Sequence, residues 1–237
     1  MAADTLVIIP AYNEEAALPA VLAGLRARFP DFDVVVVDDG SKDRTSTVAH
    51  EGGAAVVTLP FNLGVGGALR TGFRYAVRQG YQRAVQLDAD GQHDVGQVDA
   101  LLAPLADGAD LVIGSRFATG AGEYEVGRSR RSAMRLMQRG VRLLSGQSFT
   151  DTSSGFRAFG PDALALFAAQ YPIDFLSDSV EALLAALAAG LTVVEVPVQM
   201  NVRAGGVPST RNLKLAYHYL RLLVVMTATA PRRRNAS

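Results

Sequence analysis

Short runs rich in β-forming residues alternate with segments of helical periodicity over the first half of the chain, and this alternation restricts the fold more than any other feature. The predicted strands are Leu6–Ile9, Asp33–Val37, Ala55–Leu59, Arg83–Leu87 and Leu111–Ile113. The predicted helices between them are Glu14–Arg28, Lys42–Glu51, Val65–Gln79 and Val95–Ala106. This order predicts an α/β fold with a parallel, doubly wound sheet. Such sheets bind ligands beyond the carboxyl ends of their strands, so functional residues are expected in the loops there.

The alternation loosens after about Gly114. Ala118–Gly127 is glycine-rich and polar, as a mobile loop would be. The following pattern predicts helices at Ser129–Ser145, Asp162–Ala169 and Ser177–Ala189, a turn in DTSSGFR, and a strand at Thr192–Val198. Because no low-complexity linker is visible, we expect one domain over residues 1–210, followed by a C-terminal amphipathic helix and basic tail over residues 211–237.

Charge balance and cysteine content exclude several classes of protein. The chain has 23 Lys and Arg against 23 Asp and Glu, so no net charge draws it to nucleic acid. The lack of cysteine excludes a disulfide framework and thiolate metal sites. Met1–Ile9 contains no basic segment followed by an apolar core and a cleavage site, so we expect no signal peptide.

The C-terminal segment is apolar but short. Leu215–Ala230 falls below the roughly 20 residues that a membrane-spanning helix needs. Two interpretations remain open. The segment is either an amphipathic helix that lies on an anionic membrane beside Arg232, Arg233 and Arg234, or a terminal helix packed on the domain or on a partner.

Two carboxylates follow the fourth predicted strand in the stretch AVQLDADGQHD. Asp88 and Asp90, with the side-chain carbonyl of Gln92, form an all-oxygen set that suits Mg2+ or Mn2+. A turn or a helix cap is the alternative reading of two acids at a strand end. A calcium loop is excluded, because His93 stands where that loop requires glycine.

Acidic residues also follow the second predicted strand, in VVDDGSKD. Ser41 or Asp43 is expected to cap the next helix. Asp39, at the carboxyl end of the strand, could accept hydrogen bonds from the base or ribose of a ligand. Downstream, NLGVGGALRTG resembles a phosphate cradle at the start of a helix, although its spacing is not the dinucleotide fingerprint.

A stripe of arginines runs along the predicted helix Arg128–Leu144. At about 100° per residue, five arginines fall within an arc of about 80°, opposite Met134, Met137, Val141 and Leu144. No acidic residue intervenes, so the stripe suits either solvent or an anionic partner such as a phosphate. The arginines of the stripe are Arg128, Arg131, Arg135, Arg139 and Arg142.

Other residues allow fewer conclusions. Arg116 in GSRF and Arg203 in NVRAGG are single guanidiniums near strand ends. The three histidines have no metal-ligand spacing, and no nucleophile-elbow motif supports hydrolase chemistry. Glu181 is either a general base or a polar residue on a helix face.

Taken together, the ordered motifs resemble family 2 glycosyltransferases, in particular the dolichyl/polyprenyl-phosphate sugar transferases (dolichol-phosphate mannosyltransferase-like). The resemblance runs from about Leu6 to Gly206 and rests on VIIPAYNEE, VVVDDGSKDRT, NLGVGGALRTGF, QLDADGQH, VIGSRF, DTSSGFRAF, VVEVPV and NVRAGG. It implies a type-A glycosyltransferase fold, a Rossmann-like nucleotide-binding α/β sandwich, and therefore a catalytic domain over residues 1–210.

The resemblance also implies roles for individual residues. The metal ligands would be Asp88, Asp90 and Gln92, which hold Mg2+ or Mn2+ on the diphosphate of the donor. Nucleotide-sugar binding would involve Pro10, Tyr12, Asn13, Glu14, Val37, Asp39, Asp88, Ala89, Arg116 and Arg203. The catalytic residues would be Asp90, Arg116 and Arg203, and the acceptor phosphate would meet Arg128, Arg131 and Ser132.

The implied reaction is inverting, metal-dependent transfer of a hexose from a UDP- or GDP-linked donor to polyprenyl phosphate. One alternative is a family 2 transferase with a saccharide acceptor, as in cell-surface glycan synthesis, where Glu181 or Asp178 would act as the base. Another is a nucleotide-binding subunit without turnover. A sugar nucleotidyltransferase is disfavoured, since no glycine-rich, basic triphosphate loop follows the first strand.

The chain departs from the family pattern in two places. Pro208 stands where relatives usually carry serine, which puts in question the conformation of the loop that closes over the diphosphate. The transmembrane pair that follows the catalytic domain in many relatives is not found in this sequence. We therefore expect a cytoplasmic protein that is peripheral at the inner face of the membrane, or one that reaches its lipid through a separate membrane protein.

Overall fold

A computed structural model describes residues 4–119, 121, 128–172 and 178–201, with the backbone alone for residues 128–133 and 178. The strands are β1 (Thr5–Ala11), β2 (Asp33–Asp38), β3 (Ala55–Thr58), β4 (Arg83–Gln86), β5 (Leu111–Ser115), β6 (Arg157–Phe159) and β7 (Val193–Pro197). The helices are α1 (Leu18–Arg28), α2 (Thr45–Glu51), α3 (Val65–Gln79), α4 (Val98–Ala106), α5 (Arg128–Ser145), α6 (Pro161–Gln170) and α7 (Asp178–Ala188). A short 3-10 helix, Val95–Gln97, precedes α4.

The seven strands form one sheet in the order β3-β2-β1-β4-β6-β5-β7. β1 runs parallel to β2 and to β4, and β5 runs parallel to β7. β6 lies between β4 and β5 and is antiparallel to both. The fold is therefore α/β as predicted, but the expectation of a wholly parallel sheet was wrong because the sequence pattern did not reveal β6.

β6 has only three residues and begins with a charged one, so it lacks the apolar run that marks a buried strand. Arg157 is nevertheless completely buried. Its Nε donates to the carbonyl oxygen of Ser154 at 2.8 Å, and its NH2 donates to the carbonyl oxygen of Ser179 at 2.8 Å. These bonds compensate for burial of the guanidinium. They also connect the turn before β6 to the start of α7.

The sheet separates two apolar layers. On one side Leu6, Ile8 and Phe159 pack against side chains of α3, α5, α6 and α7, including Phe73 and Phe167. On the other side the alternate residues of β1, Val7 and Ile9, pack with α1 and α4. Each buried large apolar side chain contributes about 1.5–3 kcal/mol, so both layers hold the strand ends in fixed positions.

One predicted helix start differs from the structure, and the predicted C-terminal segment lies outside the described residues. α1 begins at Leu18 rather than Glu14, because the carbonyl of Glu14 accepts from Ala17 and Leu18 in a preceding turn. No helix within the described part of the chain is both long and apolar enough to cross a bilayer. The domain boundary at residue 210, the C-terminal helix and tail over 211–237, and most of the predicted mobile loop Ala118–Gly127 lie outside the described residues.

Candidate functional site

The loops that carry the predicted site residues meet at one edge of the sheet. β2 and β4 both pair in parallel with β1, so the carboxyl ends of these three strands are neighbours. Their loops hold Tyr12 to Glu14, Asp39, and Asp88 to Gln92. These residues therefore lie at the edge where the sequence places them, and their role in the chemistry stays a prediction.

The loops after β1 and β2 are joined by reciprocal hydrogen bonds. The backbone N–H of Asn13 donates to Ser41 Oγ at 2.9 Å, and the backbone N–H of Lys42 donates to Asn13 Oδ1 at 2.9 Å. Asn13 adopts a positive φ of 55°, which asparagine tolerates better than most residues. The pairing fixes the backbone beside the exposed Tyr12 side chain.

Of the two predicted caps of α2, Asp43 binds an N–H group of the first turn, and Ser41 does not. Ser41 uses its hydroxyl to bind Asn13 in the neighbouring loop. Asp43 accepts from the N–H of Thr45 at 3.0 Å, inside the helix, and from the N–H of Glu15 at 3.2 Å. Burial raises the pKa of Asp43, but the hydrogen bonds from Thr45 and Glu15 outweigh it and bring that pKa below its ordinary value.

Asp39 holds the start of α3. Its two carboxylate oxygens accept from the backbone N–H groups of Leu63, at 2.7 Å, and Gly64, at 2.8 Å. Burial raises the pKa of Asp39; these two hydrogen bonds offset only part of the rise, and the charge of Asp38 adds to it. Asp39 therefore already binds two amides of the NLGVGG stretch, and a phosphate-binding role for the rest of that stretch stays a prediction.

The loop after β4 presents the candidate metal ligands. Asp88 has 40% of its side chain exposed, whereas Asp90 is buried and accepts from the N–H of Gln92 at 3.0 Å. Gly91 makes the turn between Asp90 and Gln92 with a φ of 74°. The chain thus turns sharply after the strand, and all three predicted ligands lie on one short turn.

Gly155, from the DTSSGFR turn, faces Asp88 across this loop. A Cβ at Gly155 would lie 3.5 Å from both carboxylate oxygens of Asp88 and 3.2 Å from Gln86 Nε2. A side chain at this position would contact the Asp88 carboxylate, whereas glycine leaves that side of the carboxylate uncovered. This residue was not predicted from the sequence; the signal was a glycine just before the apolar Phe156 in DTSSGFR, a motif without an assigned role.

The oxygen donors fit a divalent ion that is shared with a ligand. Among the described residues, no three His, Cys, Asp or Glu side chains gather into a metal-binding group. The protein would therefore supply two carboxylates and the Gln92 carbonyl. Mg2+ is commonly held in this way, through one or two carboxylates together with substrate phosphates. The side of the Asp88 carboxylate that Gly155 leaves uncovered and the hard oxygen donors both fit such an ion.

Arg116, predicted to bind phosphate, forms a bidentate ion pair at the end of β5. Its Nε lies 2.6 Å from Asp151 Oδ2 and its NH2 lies 2.9 Å from Asp151 Oδ1. Only 9% of the Arg116 side chain is exposed, and Asp151 is completely buried. Burial raises the pKa of Asp151, but the Arg116 guanidinium outweighs it and brings that pKa below its ordinary value. The pair orients Arg116 and neutralises much of its charge.

Glu195 on β7 holds the backbone that carries Asp151. It accepts from the backbone N–H groups of Thr150, at 2.7 Å, and Asp151, at 2.8 Å. Neither Asp151 nor Glu195 was predicted as a site residue, because each stands alone in a motif that names no chemistry. Their roles follow only from the strand order, which places β7 beside β5.

The arginine stripe on α5 is confirmed where side chains are described. Arg135, Arg139 and Arg142 are exposed, while Met137 and Val141 are buried on the opposite side. Two leucines, Leu136 at 43% and Leu143 at 86% exposure, lie next to the arginines. The predicted acceptor residues Arg128, Arg131 and Ser132 fall in the first turns of α5, and their side chains are outside the described part of the chain.

The remaining predicted ligand residues have different surroundings. Val37 is completely buried and pairs with Pro10 in the sheet, so its role in holding a nucleoside stays a prediction. Ala89 is also buried, and Glu14 is half-buried with its N–H bound to Thr45 Oγ1 at 2.9 Å. Arg203 lies beyond the last described residue, Asn201.

The family model and the similar proteins identify the same family. The model of the family "Glycosyl transferase family 2" matches residues 6–165. The undecaprenyl-phosphate mannosyltransferase of Micrococcus luteus is 38% identical over 164 residues, which cover 67% of each chain. The polyprenol monophosphomannose synthase of Mycolicibacterium smegmatis is 33% identical over 216 residues, covering 86% of this chain and 79% of that protein.

A solved structure confirms the fold. Glucosyl-3-phosphoglycerate synthase from Mycobacterium tuberculosis, in complex with Mn2+, UDP and phosphoglyceric acid, superposes with a TM-score of 0.70 at 21% identity. The match covers 95% of this chain and 78% of the synthase. The mixed seven-stranded sheet is therefore the type-A fold predicted from the motifs, and at this identity the likeness concerns the fold alone.

Proposed function

The chain belongs to glycosyl transferase family 2 and is a sugar transferase, and on that basis we propose that it moves a hexose from a nucleoside diphosphate sugar to polyprenyl phosphate. One observation carries the proposal. The turn with Asp88, Asp90 and Gln92 lies at the same sheet edge as the joined loops of Tyr12 and Asp39, so a nucleotide seated there would have its phosphates next to the carboxylates.

In the proposed donor site, Tyr12, Asn13, Glu14 and Asp39 surround the nucleoside, with Pro10, Val37 and Ala89 behind them. Asp88, Asp90 and Gln92 hold Mg2+ or Mn2+, which supplies positive charge for the diphosphate when it is bound. Arg116, which follows β5 and is oriented by Asp151, is proposed to donate hydrogen bonds to the same diphosphate. Arg203 is proposed for the same diphosphate.

The acceptor site is proposed along α5, through Arg128, Arg131 and Ser132. An oxygen of the lipid phosphate attacks the anomeric carbon. The bond from that carbon to the diphosphate oxygen breaks at the same time, and the electron pair of the broken bond leaves with the nucleoside diphosphate. The attacking oxygen is already anionic, so no base has to remove a proton. Attack from the face opposite the nucleotide inverts the configuration.

Mannose is the first donor sugar to test, because both relatives described above bear names that specify mannose or mannosyl transfer and a polyprenyl acceptor. The exposed face of α5 also fits this acceptor. Its arginines suit anionic headgroups, and its two exposed leucines suit the apolar part of a membrane interface. We propose that the protein meets its lipid at a membrane surface through this face.

A saccharide acceptor is the second candidate. It would need a carboxylate base, and Glu181 or Asp178 on α7 are the candidates. The bond from Arg157 to the carbonyl of Ser179 supports this alternative, because it holds the start of α7 against the turn that carries Gly155. Under this candidate, either Glu181→Gln or Asp178→Asn would abolish transfer; under the lipid phosphate proposal neither would.

The deciding experiment measures release of nucleoside diphosphate by purified protein. GDP-mannose and UDP-hexoses are supplied with Mn2+ or Mg2+, with and without a short polyprenyl phosphate. We expect release that needs both metal and lipid phosphate, with labelled sugar passing into the organic phase. Transfer to a saccharide with none to polyprenyl phosphate would contradict the proposal.

Matched variants test the metal ligands in the same assay. Asp90→Asn should abolish release, because the loop loses a candidate ligand. Asp94→Asn changes a carboxylate in the same loop that accepts from the N–H of Gly96 at 2.9 Å, and it should retain activity. Equal activity in the two variants would contradict the metal site.

A further inference from the structure

His93 is buried in contact with the candidate metal ligand Asp88. It is 3% exposed, and its Nδ1 accepts a hydrogen bond from the backbone N–H of Asp88 at 3.0 Å. Its Nε2 lies 3.5 Å from Oδ2 of the Asp88 carboxylate. The same imidazole ring therefore contacts both the backbone and the side chain of one residue.

These contacts indicate which nitrogen of the imidazole ring carries a hydrogen. Because Nδ1 accepts a hydrogen, it carries none, and the proton of the neutral imidazole sits on Nε2. The Nε2 atom lies 3.5 Å from Oδ2 of the Asp88 carboxylate. The bond at Nδ1 also satisfies a backbone N–H that follows the end of β4, at a point where burial of an unpaired amide would be costly.

The position of the ring is itself held from two directions. It stacks on Phe156, with 4.8 Å between ring centroids and 14° between the planes. The backbone of His93 pairs with Met200, and the N–H of Asn201 donates to the carbonyl of Gln92 at 2.8 Å. Phe156 follows Gly155, so the segment that approaches the Asp88 carboxylate also stacks on the His93 ring.

We propose that His93 is a positioning residue for the divalent ion: it holds the backbone and the carboxylate of Asp88 in the orientation that the ion requires. The inference rests on the proposed function, since it assigns His93 a task at that metal site. Residues that orient metal ligands typically change metal affinity by about 10–100-fold when they are replaced.

Two substitutions separate this role from simple packing. His93→Phe keeps an aromatic ring to stack on Phe156 but loses both polar contacts. His93→Asn places an acceptor near Nδ1 and lacks the Nε2–H group. Gln97→Ala is the matched control, because Gln97 accepts from the N–H of Gln199 at 3.0 Å and fastens the same region without contacting Asp88.

The readout is Mn2+ binding, measured by electron paramagnetic resonance of free Mn2+ in the presence of GDP or UDP, with thermal unfolding measured in parallel. We expect His93→Phe to weaken Mn2+ binding about 10–100-fold. His93→Asn should lie between it and the unaltered protein. Gln97→Ala should leave Mn2+ binding unchanged, and nucleotide binding without metal should be the same in all variants.

Several outcomes would overturn the inference. Unchanged Mn2+ affinity in His93→Phe would overturn it. So would equal losses of Mn2+ affinity in His93→Phe and His93→Asn, if those losses parallel the drop in Tm of each variant. If His93→Phe does not fold, His93→Asn decides: weaker Mn2+ binding at an unchanged Tm supports the role, and unchanged binding contradicts it. If the unaltered protein binds no Mn2+ with either nucleotide, the proposed metal site itself fails.

Discussion

Arg116 and Asp151 form a bidentate, buried ion pair that closes the carboxyl end of β5, with Nε to Oδ2 at 2.6 Å and NH2 to Oδ1 at 2.9 Å. Asp151 receives further support from its N–H bond to Glu195. A buried charge that loses its partner keeps its desolvation cost without the compensating attraction. The same ion pair therefore stabilises the fold and orients Arg116 at the candidate site.

Removal of the Asp151 charge should destabilise the protein strongly. Asp151→Asn leaves the Arg116 guanidinium buried without a counter-charge, and we expect the free energy of unfolding to fall by about 3–5 kcal/mol in urea titrations. Asp99→Asn is the matched control, because Asp99 pairs with Arg28 at 3.4 Å while both side chains are more than half exposed. Its effect should stay below about 1 kcal/mol. Equal effects would mean that the buried pair is not stabilising.

The same ion pair predicts a pH dependence. The pKa of Asp151 is lower in the folded protein than its ordinary value of 3.8, despite burial, because of Arg116. A lowered carboxyl pKa contributes stability that is complete above the unfolded pKa and is lost as the pH falls through the folded pKa. The difference in unfolding free energy between the unaltered protein and Asp151→Asn should be constant above about pH 5 and shrink below about pH 4. A constant difference down to pH 3 would contradict this assignment.

Gly155→Ala should impair metal-dependent activity, and its close 3.2 Å approach to Nε2 of the buried Gln86 should also lower stability. The added methyl group would lie 3.5 Å from both Asp88 oxygens, in the space proposed for the ion. We expect the Mn2+ concentration for half-maximal activity to rise about tenfold. Gly24→Ala is the control, since its Cβ would make only an ordinary 3.8 Å contact with Val95 and its activity should be unchanged. Unaltered metal dependence in Gly155→Ala would remove Gly155 from the site.

Much of this site could be predicted from the chain, because the relevant residues follow well-marked strands. Val34–Val37 is a continuous apolar run, so the position of Asp39 at its end followed directly, and the same holds for Asp88 after β4. Parallel pairing with β1 then places both residues at one edge. These predictions needed only local periodicity and the general rule for parallel sheets.

The contacts that complete the site depend on long-range pairing and were not predicted. β6 is too short to show a period, and its insertion between β4 and β5 brings Gly155 against Asp88. Asp151 and Glu195 are 44 residues apart and meet only because β7 pairs with β5. Local patterns carry no information about such contacts, since the sheet order determines them.

The exposed face of α5 combines charge and apolar area without acidic residues. Arg135, Arg139 and Arg142 lie beside Leu136 and Leu143, while the opposite side of the helix packs into the protein. An exposed leucine costs little in isolation, but two beside three arginines form a surface suited to an anionic bilayer. This surface is the part of the membrane proposal that mutations can test directly.

Replacement of Arg139 and Arg142 by Gln should weaken binding to vesicles of phosphatidylglycerol, measured by co-sedimentation. Each arginine near an anionic surface contributes about 1 kcal/mol, so the double variant should bind roughly 30-fold more weakly. The control is Arg74→Gln with Arg78→Gln on α3, where the arginines are also exposed and lie near the exposed Val77. Both variants remove two positive charges, so net charge cannot explain a difference between them. Equal loss of binding in the two variants would show that α5 is not the membrane-facing surface.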